Sequence, residues 1–320
     1  MAIPLSVNLM PEAPVRDLVE LARLAEARGC TRCWVYDEGL VTRDVYITLA
    51  AIAEGTETIG LGPGITNPHV RHPGATAAAI ATLDEYSGGR AFLGLGAGGG
   101  LTLRPLGIDP ARPFTAVKET VDAIRGLFSG ATIDHDGEFA LRQARLDYAR
   151  SDIEIFLAGR GSRMMGLAGE RADGFYLSYT HKDLLGSAIE GIRARRPPSA
   201  SPFLVTYSTM IANTEADLET ARSHLTYRLV DSPPEVKDLI GMDADDTEAI
   251  AAALAAGGPR GAAHLVKEEW VPHFVIAGTP RQTATELHQL MTTNGIDEFQ
   301  VPVLEIEGAA ELIERTAALF

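Results

Sequence analysis

The feature that most constrains this chain is a rhythm in which short apolar runs of strand length alternate with longer segments whose apolar residues recur at helical spacing. The run Ile3 to Leu9 comes first, and Pro14 then opens VRDLVELARLAEARG, which stops at Gly29. The unit recurs as CTRCWVYD with DVYITLAAIAEGT, IGLGPGITNP with GATAAAIATLDEYSGG, and RAFLGLGAGG with FTAVKETVDAIRGLFSG. After an interruption it resumes as IEIFLAGRG with SRMMGLAGERADG, FYLSYT with KDLLGSAIEGIRARR, and PFLVTYSTMIA with TEADLETARSHLTYRL. Helical TPRQTATELHQLMTTNG, the strand DEFQVPVL and the closing helix GAAELIERTAALF complete the series. Strands that read as nearly continuous apolar runs, each followed by a helix, predict a parallel sheet covered by helices on its outer face. Closure into a (β/α)8 TIM barrel is the natural reading. An open doubly wound sheet competes with it, because the order of elements does not disclose the order of strands.

A length of 320 residues suits one barrel domain over 1–320 with insertions. One insertion falls near 131–150, where a DHDG turn between short alternating segments reads as a hairpin. The other, near 231–272, carries SPP, DADD and AAGGPRGAA and reads as irregular or helical. Acidic residues outnumber basic ones, 43 to 28, and a net charge of -15 repels phosphate backbones and anionic membranes, so nucleic acid is not an expected partner. No apolar run reaches the roughly 18 residues of a spanning helix, and MAIPLSVNLM lacks the basic start of a secretory signal. The expectation is a cytoplasmic protein without a membrane partner. Cys30 and Cys33 have Cys-x-x-Cys spacing, but CTRCWVYD reads as a strand, which would send the sulfurs to opposite faces, so both are read as structural thiols.

In a barrel of this kind the binding groups follow the strands, which selects Asn8, Asp37, Glu38, Thr66, Asn67, His69, Gly96, Ala97, Gly159 to Ser162, Tyr179, Thr180 and Tyr207. GLGAGGG has Gly94, Gly96 and Gly99 at the spacing of a dinucleotide fingerprint. That reading fails because the glycines fall partly within a strand and prolines follow where a phosphate-binding helix should begin. A strand end made of small residues, open to a flat ring, replaces it. Gly159, Arg160, Gly161 and Ser162 run from a strand into a helix start, which suits a phosphate equally as well as an ordinary helix capped by Ser162. Gly62, Pro63 and Gly64 interrupt a strand ahead of Thr66 and Asn67, implying a bulge. No His-Glu-x-x-His, Cys/His cluster or calcium loop occurs, so no metal is expected.

RHPGATAAAIATLDEYSGGRAFLGLGAGG, AGERADG and FVIAGTPRQTATELHQLMTTNGIDEFQVP, in that order, resemble the bacterial luciferase-like monooxygenase superfamily of flavin- or deazaflavin-dependent barrels. GPGITNPHVRHP together with DEGLVTRDVY resembles the branch represented by methylenetetrahydromethanopterin reductase, which uses coenzyme F420. The resemblance implies hydride transfer between F420 and a small organic substrate, with an FMN-dependent monooxygenase as the alternative. It also implies a homodimer and a non-prolyl cis peptide at Gly64-Ile65. By the same resemblance Gly64, Ile65, Thr66 and Asn67 back the ring, Gly96 and Ala97 leave room beside it, and Gly159, Arg160, Gly161 and Ser162 take the phosphate. Asp37, Glu38 and Asn67 are the catalytic candidates. Glu38 departs from the Asp-His pattern of the reductases, which bears on substrate identity.

Overall fold

The computed structural model describes residues 4–198 and 202–320, so Ile3 of the first expected strand lies outside the described residues. In chain order the strands are β1 (Leu5–Leu9), β2 (Arg32–Val35), β3 (Gly60–Pro63), β4 (Leu93–Leu95), β5 (Ile133–Asp136), β6 (Ala140–Ala144), β7 (Ile155–Ala158), β8 (Gly174–Ser178), β9 (Leu204–Ser208), β10 (Ile211–Ala212), β11 (Ile276–Ala277) and β12 (Glu298–Val303). Eight of them form one parallel sheet in the order β3-β2-β1-β12-β9-β8-β7-β4. Bridges from Leu61 to Ala91 and from Thr66 to Leu95 join its two edges. The ring is therefore closed, and the open doubly wound alternative falls. Closure removes the exposed strand edges that an open sheet would have to protect.

Alternation along each strand then has an inside and an outside. The outward residues, among them Leu5, Val7, Cys33, Val35, Leu61, Leu157, Phe175, Val205 and Val301, join the helices in the main apolar core. The inward set differs from the continuous apolar run expected. Near the N-terminal ends Arg32 donates to Glu298 (2.7 Å) and Glu154 (2.9 Å), while the Ser6 and Thr206 hydroxyls donate to Glu298 (2.8 and 3.2 Å). Above this polar plug, Trp34 packs edge-on against Phe92 and Phe156 and stacks on Tyr176. Toward the C-terminal ends the inner wall is polar again, with Asn8, Ser208 and Gln300 buried. The barrel is thus filled below and furnished with hydrogen-bonding groups at its mouth, the end where barrel enzymes carry their sites.

Between β4 and β7 the chain makes an antiparallel pair, β5 with β6. Between β9 and β11 lie helices Glu215–Val230, Pro234–Ile240 and Ala244–Ala262, followed by two short 3-10 turns. With Tyr179, Trp270 and Phe274 these helices build a second, smaller apolar cluster beside the mouth. Both cysteines are free and buried in the main core, and Cys30 precedes β2 rather than lying in it, so the two sulfurs share one side instead of diverging. Burial pushes the Cys30 thiol up to about 12 and Cys33 higher still, which leaves both thiols protonated and unreactive. No helix among the described residues is long and apolar enough to cross a membrane.

Candidate active site at the barrel mouth

The site begins where β3 stops. Pro63 has no N–H to extend the ladder, and the chain swings out as a bulge over residues 64–67 whose Gly64-Ile65 peptide is cis. Its polar groups are fixed from three neighbours: the Gly64 N–H donates to the Val35 carbonyl (2.7 Å), the Gly64 carbonyl accepts from Asn8 Nδ2 (2.7 Å), and the Thr66 N–H donates to the Gly94 carbonyl (3.0 Å). Thr66 returns a carbonyl to the Gly96 N–H (2.9 Å).

The glycines around the bulge are required by contacts within the protein. A Cβ on Gly64 would lie 2.7 Å from Trp34 Cβ, one on Gly94 2.2 Å from the Pro63 carbonyl oxygen, and one on Gly96 2.3 Å from Ile65 Cδ1. The space at Gly96 is therefore taken by the Ile65 side chain, and only indirectly serves a ring lying on Ile65. Gly159 likewise makes room for Met164, whose Cγ would sit 2.7 Å from a Cβ there. Ala97 is half-buried next to Gly96.

Asp37 and Glu38 follow β2 and are half-buried. Each accepts from a threonine: Thr66 Oγ1 donates to Asp37 Oδ2 and Thr102 Oγ1 to Glu38 Oε2, both at 2.6 Å. Burial raises the pKa of each carboxyl against the lowering effect of its threonine, and the charge of Asp37 adds to the rise at Glu38. Asn67 is buried, and its Oδ1 accepts from the His69 and Val70 N–H groups (3.0 and 3.1 Å), so that oxygen is committed to the turn. His72 caps helix Pro73–Tyr86 by accepting from the Gly74 N–H.

Beyond β7, Gly161 is the N-cap of helix Ser162–Arg171 and no side chain caps it. Ser162 thus does not act as the cap; the Met164 N–H turns back to the Gly161 carbonyl (3.0 Å), and the Ser162 and Arg163 N–H groups remain for a ligand. Arg160, Ser162 and Tyr179 line one cavity of 550 Å³, which Arg228 also enters from helix Glu215–Val230. Tyr207 turns away from the mouth and packs toward Phe299 in the outer core. Thr180 and Tyr179 border the cavity, and Tyr179 has a left-handed backbone (φ 50), a conformation uncommon for a bulky residue and enriched at functional sites.

Sequence reading missed several groups. Tyr36, Tyr176, Tyr179 and Ser208 each hold a buried hydroxyl without a partner among the described residues, and the same is true of Asn8 Oδ1, His181 Nε2 and both polar atoms of the Gln300 amide. Buried polar groups are nearly always paired, so such a concentration at one end of a barrel marks a place where something polar binds. Their alternation along the strands was the available signal. Arg228 gave none, because only the tertiary fold brings it over the mouth. The structure also gathers His181, Asp183 and His273 with their ligand atoms within 4.8 Å. The two imidazoles stack (4.7 Å between centroids, 22° between planes), so their in-plane lone pairs run side by side rather than converging.

Comparison with known proteins places this geometry in a family. The luciferase-like monooxygenase family model matches residues 3–298. The 5,10-methylenetetrahydromethanopterin reductase of Archaeoglobus fulgidus is 33% identical over 89% of this chain and 89% of its own. The enzyme of that name from Methanolobus tindarius is 31% identical over 89% of this chain and 90% of its own. The solved coenzyme F420 dependent tetrahydromethanopterin reductase of Methanopyrus kandleri superimposes with a TM-score of 0.84 at 27% identity, covering 98% of this chain and 97% of that one. A match of this length in sequence, joined to a closed parallel barrel, makes the chain a member of the luciferase-like monooxygenase family.

Proposed function

We propose that this protein is an F420-dependent oxidoreductase that transfers a hydride between coenzyme F420 and a small organic substrate at the barrel mouth. The observation that carries this reading is the whole-length likeness, above 30% identity, to methylenetetrahydromethanopterin reductases. The residues present fit the cofactor: unpartnered buried hydroxyl and amide groups gather at the mouth, and an uncapped helix start with Arg160 borders the adjoining cavity. When bound, the deazaflavin supplies the hydride-carrying carbon.

The chain's own groups then orient and protonate. Gly64, Ile65, Thr66 and Asn67 form the backing for the ring, with the half-buried Ile65 side chain seated over Gly96, and Ala97, the next small residue, leaves room beside it. Gly159, Arg160, Gly161 and Ser162 hold the phosphate through backbone N–H groups and a guanidinium. Asp37 holds the Thr66 hydroxyl in place and so acts as a positioning residue. Glu38, with its carboxyl pushed toward the protonated form by burial, is the acid that can give a proton to substrate. Asn67 contributes its amide N–H groups, since its oxygen is occupied.

The chain works as one domain over 1–320, with 131–150 and 231–272 as insertions, in the cytoplasm and as a homodimer. Adjacent helices Val45–Gly55 and Pro73–Tyr86 support the dimer. They expose Ile47, Ala50, Ala75 and Tyr86, a largely apolar face in which the Tyr86 hydroxyl donates to the exposed Glu54 (2.5 Å), offered to a second copy.

Titration of the purified protein with F420 and, separately, FMN tests the reading through fluorescence and thermal stability. F420 should bind and, at a hundredfold excess over Kd, stabilise the fold by about 2.7 kcal/mol, with FMN giving no comparable shift. Tight FMN binding accompanied by oxygen consumption, or indifference to F420, would overturn it.

A further inference from the structure

Arg228 is 8% exposed and its guanidinium stands 3.7 Å from the centre of the Tyr179 ring and 4.7 Å from that of Tyr227. Only Nη1 has partners, the His224 carbonyl (2.8 Å) and the Tyr227 hydroxyl (2.5 Å), and no carboxylate lies within salt-bridge distance among the described residues. A buried cation without a counter-ion is costly, and chains keep one where an anion arrives. The groups facing it do not supply that anion. Tyr36, Tyr176, Tyr179 and Tyr227 are phenols, and the imidazole of His224 is pushed down to about 4 by burial and by Arg228 itself. Glu38 acts on Arg228 only at a distance and is engaged by Thr102.

A second guanidinium points to the same need. Arg160 Nη1 reaches the Arg228 carbonyl (3.4 Å), and although the residue is exposed overall, burial and then the neighbouring Arg228 work against its charge and outweigh the opposing effect of Asp231. Three guanidiniums line the 550 Å³ cavity, and Glu235 is the one acid among its described lining residues. Arg195 is paired with Glu170 outside the cavity (3.6 Å), which leaves Arg160 and Arg228 as the like charges to be met there.

We propose that Arg228 is the counter-ion of an oxyanion of the bound cofactor, taken into this cavity beside Arg160. The proposal rests on the F420 reading. It reaches past the phosphate turn after β7 to a residue on helix Glu215–Val230, and it predicts that this arginine is retained for ligand binding at a cost to the empty protein.

The test compares wild type with Arg228→Met, Arg228→Gln and Arg228→Lys. Affinity for F420 and for a phosphate-free deazaflavin nucleoside is read by fluorescence at low and high salt, alongside the melting midpoint of each ligand-free protein. The neutral variants should bind F420 at least about tenfold more weakly, with a flatter salt dependence, and melt at or above the wild-type midpoint, because the uncompensated charge is gone. Lys should recover part of the affinity, since it restores charge without the planar fork. Loss confined to F420 assigns the oxyanion to the phosphate-bearing side chain, and equal loss for the nucleoside assigns it to the ring; either supports the proposal. Unchanged affinity and salt dependence in Arg228→Gln, or a lowered midpoint in every neutral variant, would show a purely structural arginine and overturn it. Failure of wild type to bind F420 would instead count against the cofactor reading.

Discussion

At the scale of single residues, Asp37 and Glu38 look equivalent in sequence but differ in what they touch. Asp37 accepts from Thr66, which is part of the bulge, whereas Glu38 accepts from Thr102, which lies outside it. An amide oxygen can still accept the threonine hydroxyl, so Asp37→Asn should keep most activity, while Asp37→Ala releases Thr66 and should weaken F420 binding by the worth of one buried hydrogen bond, about 1 kcal/mol. Fluorescence titration of the two variants checks this pair. Glu38→Gln should bind F420 normally yet lose about 10²–10⁴ in hydride-transfer rate, the share commonly carried by a positioned acid, as read by stopped-flow absorbance. The stability of the ligand-free protein carries a second signature. Both carboxyls are raised by burial, so each contributes stability that is full below the ordinary carboxylate range and is lost as pH rises through the raised folded value. Melting curves of wild type should therefore show this contribution growing as pH falls toward that range from above, and Glu38→Gln should flatten it. A wild type and a variant with the same pH slope would show that Glu38 is not the buried acid of the site.

The element that matters most is the bulge after β3, because it converts strand-end glycines into a shaped wall. A methyl on Gly94 meets backbone, the Pro63 oxygen at 2.2 Å, whereas one on Gly96 meets the movable tip of Ile65 at 2.3 Å. Gly94→Ala should accordingly fold poorly or lose well over the 1–3 kcal/mol typical of overpacking, and Gly96→Ala should stay within about that range while losing F420 affinity as Ile65 is displaced. Urea unfolding and cofactor titration of both variants decide the matter; equal destabilisation would mean that the bulge yields as a unit. The same contrast explains what could be read in the sequence. Eight strand-helix units were legible because outward residues such as Val7, Leu61, Leu157 and Val301 must be apolar to meet the helices. Closure and the inner wall were less so: Ser6, Asn8, Thr206, Ser208 and Gln300 stand in the same strings, and only the register shows that they face inward together while Tyr207 faces out. The glycines of β4 were visible as a signal for small residues, but the reason for them, a bulge on another strand, is a tertiary fact. Arg228 lies 68 positions from the Arg160 that it neighbours, a separation across which local pattern says nothing.

For the whole molecule, the barrel has one sealed end and one open end. The Arg32, Glu154 and Glu298 cluster closes the N-terminal side, leaving the mouth as the way in for cofactor and substrate. Helices Val45–Gly55 and Pro73–Tyr86 stand beside that mouth, the first beginning only seven residues beyond Glu38. Their exposed faces differ from an ordinary solvated helix: Ile47 is 68% and Tyr86 58% exposed, while Leu40 and Val41, on the turn between Glu38 and the first helix, are 72% and 55% exposed. A net charge of -15 opposes association of two copies at long range, so the proposed dimer relies on packing at this face and should be strengthened by salt that screens the repulsion. Burial of about 800 Å² per partner, the ordinary size of a stable interface, would need both helices and the 40–41 turn. Ile47→Glu replaces the most exposed apolar side chain of the two helices by a second carboxylate beside Glu54 and should convert dimer to monomer in analytical ultracentrifugation, with the fold intact by circular dichroism. Because the 39–41 turn leads directly from Glu38, the monomer should also bind substrate less well while keeping its F420 affinity, which the proposed site assigns to the bulge, the turn after β7 and Arg228. A wild type that sediments as a monomer at low and high salt would leave these apolar residues without a partner and remove the dimer from the reading.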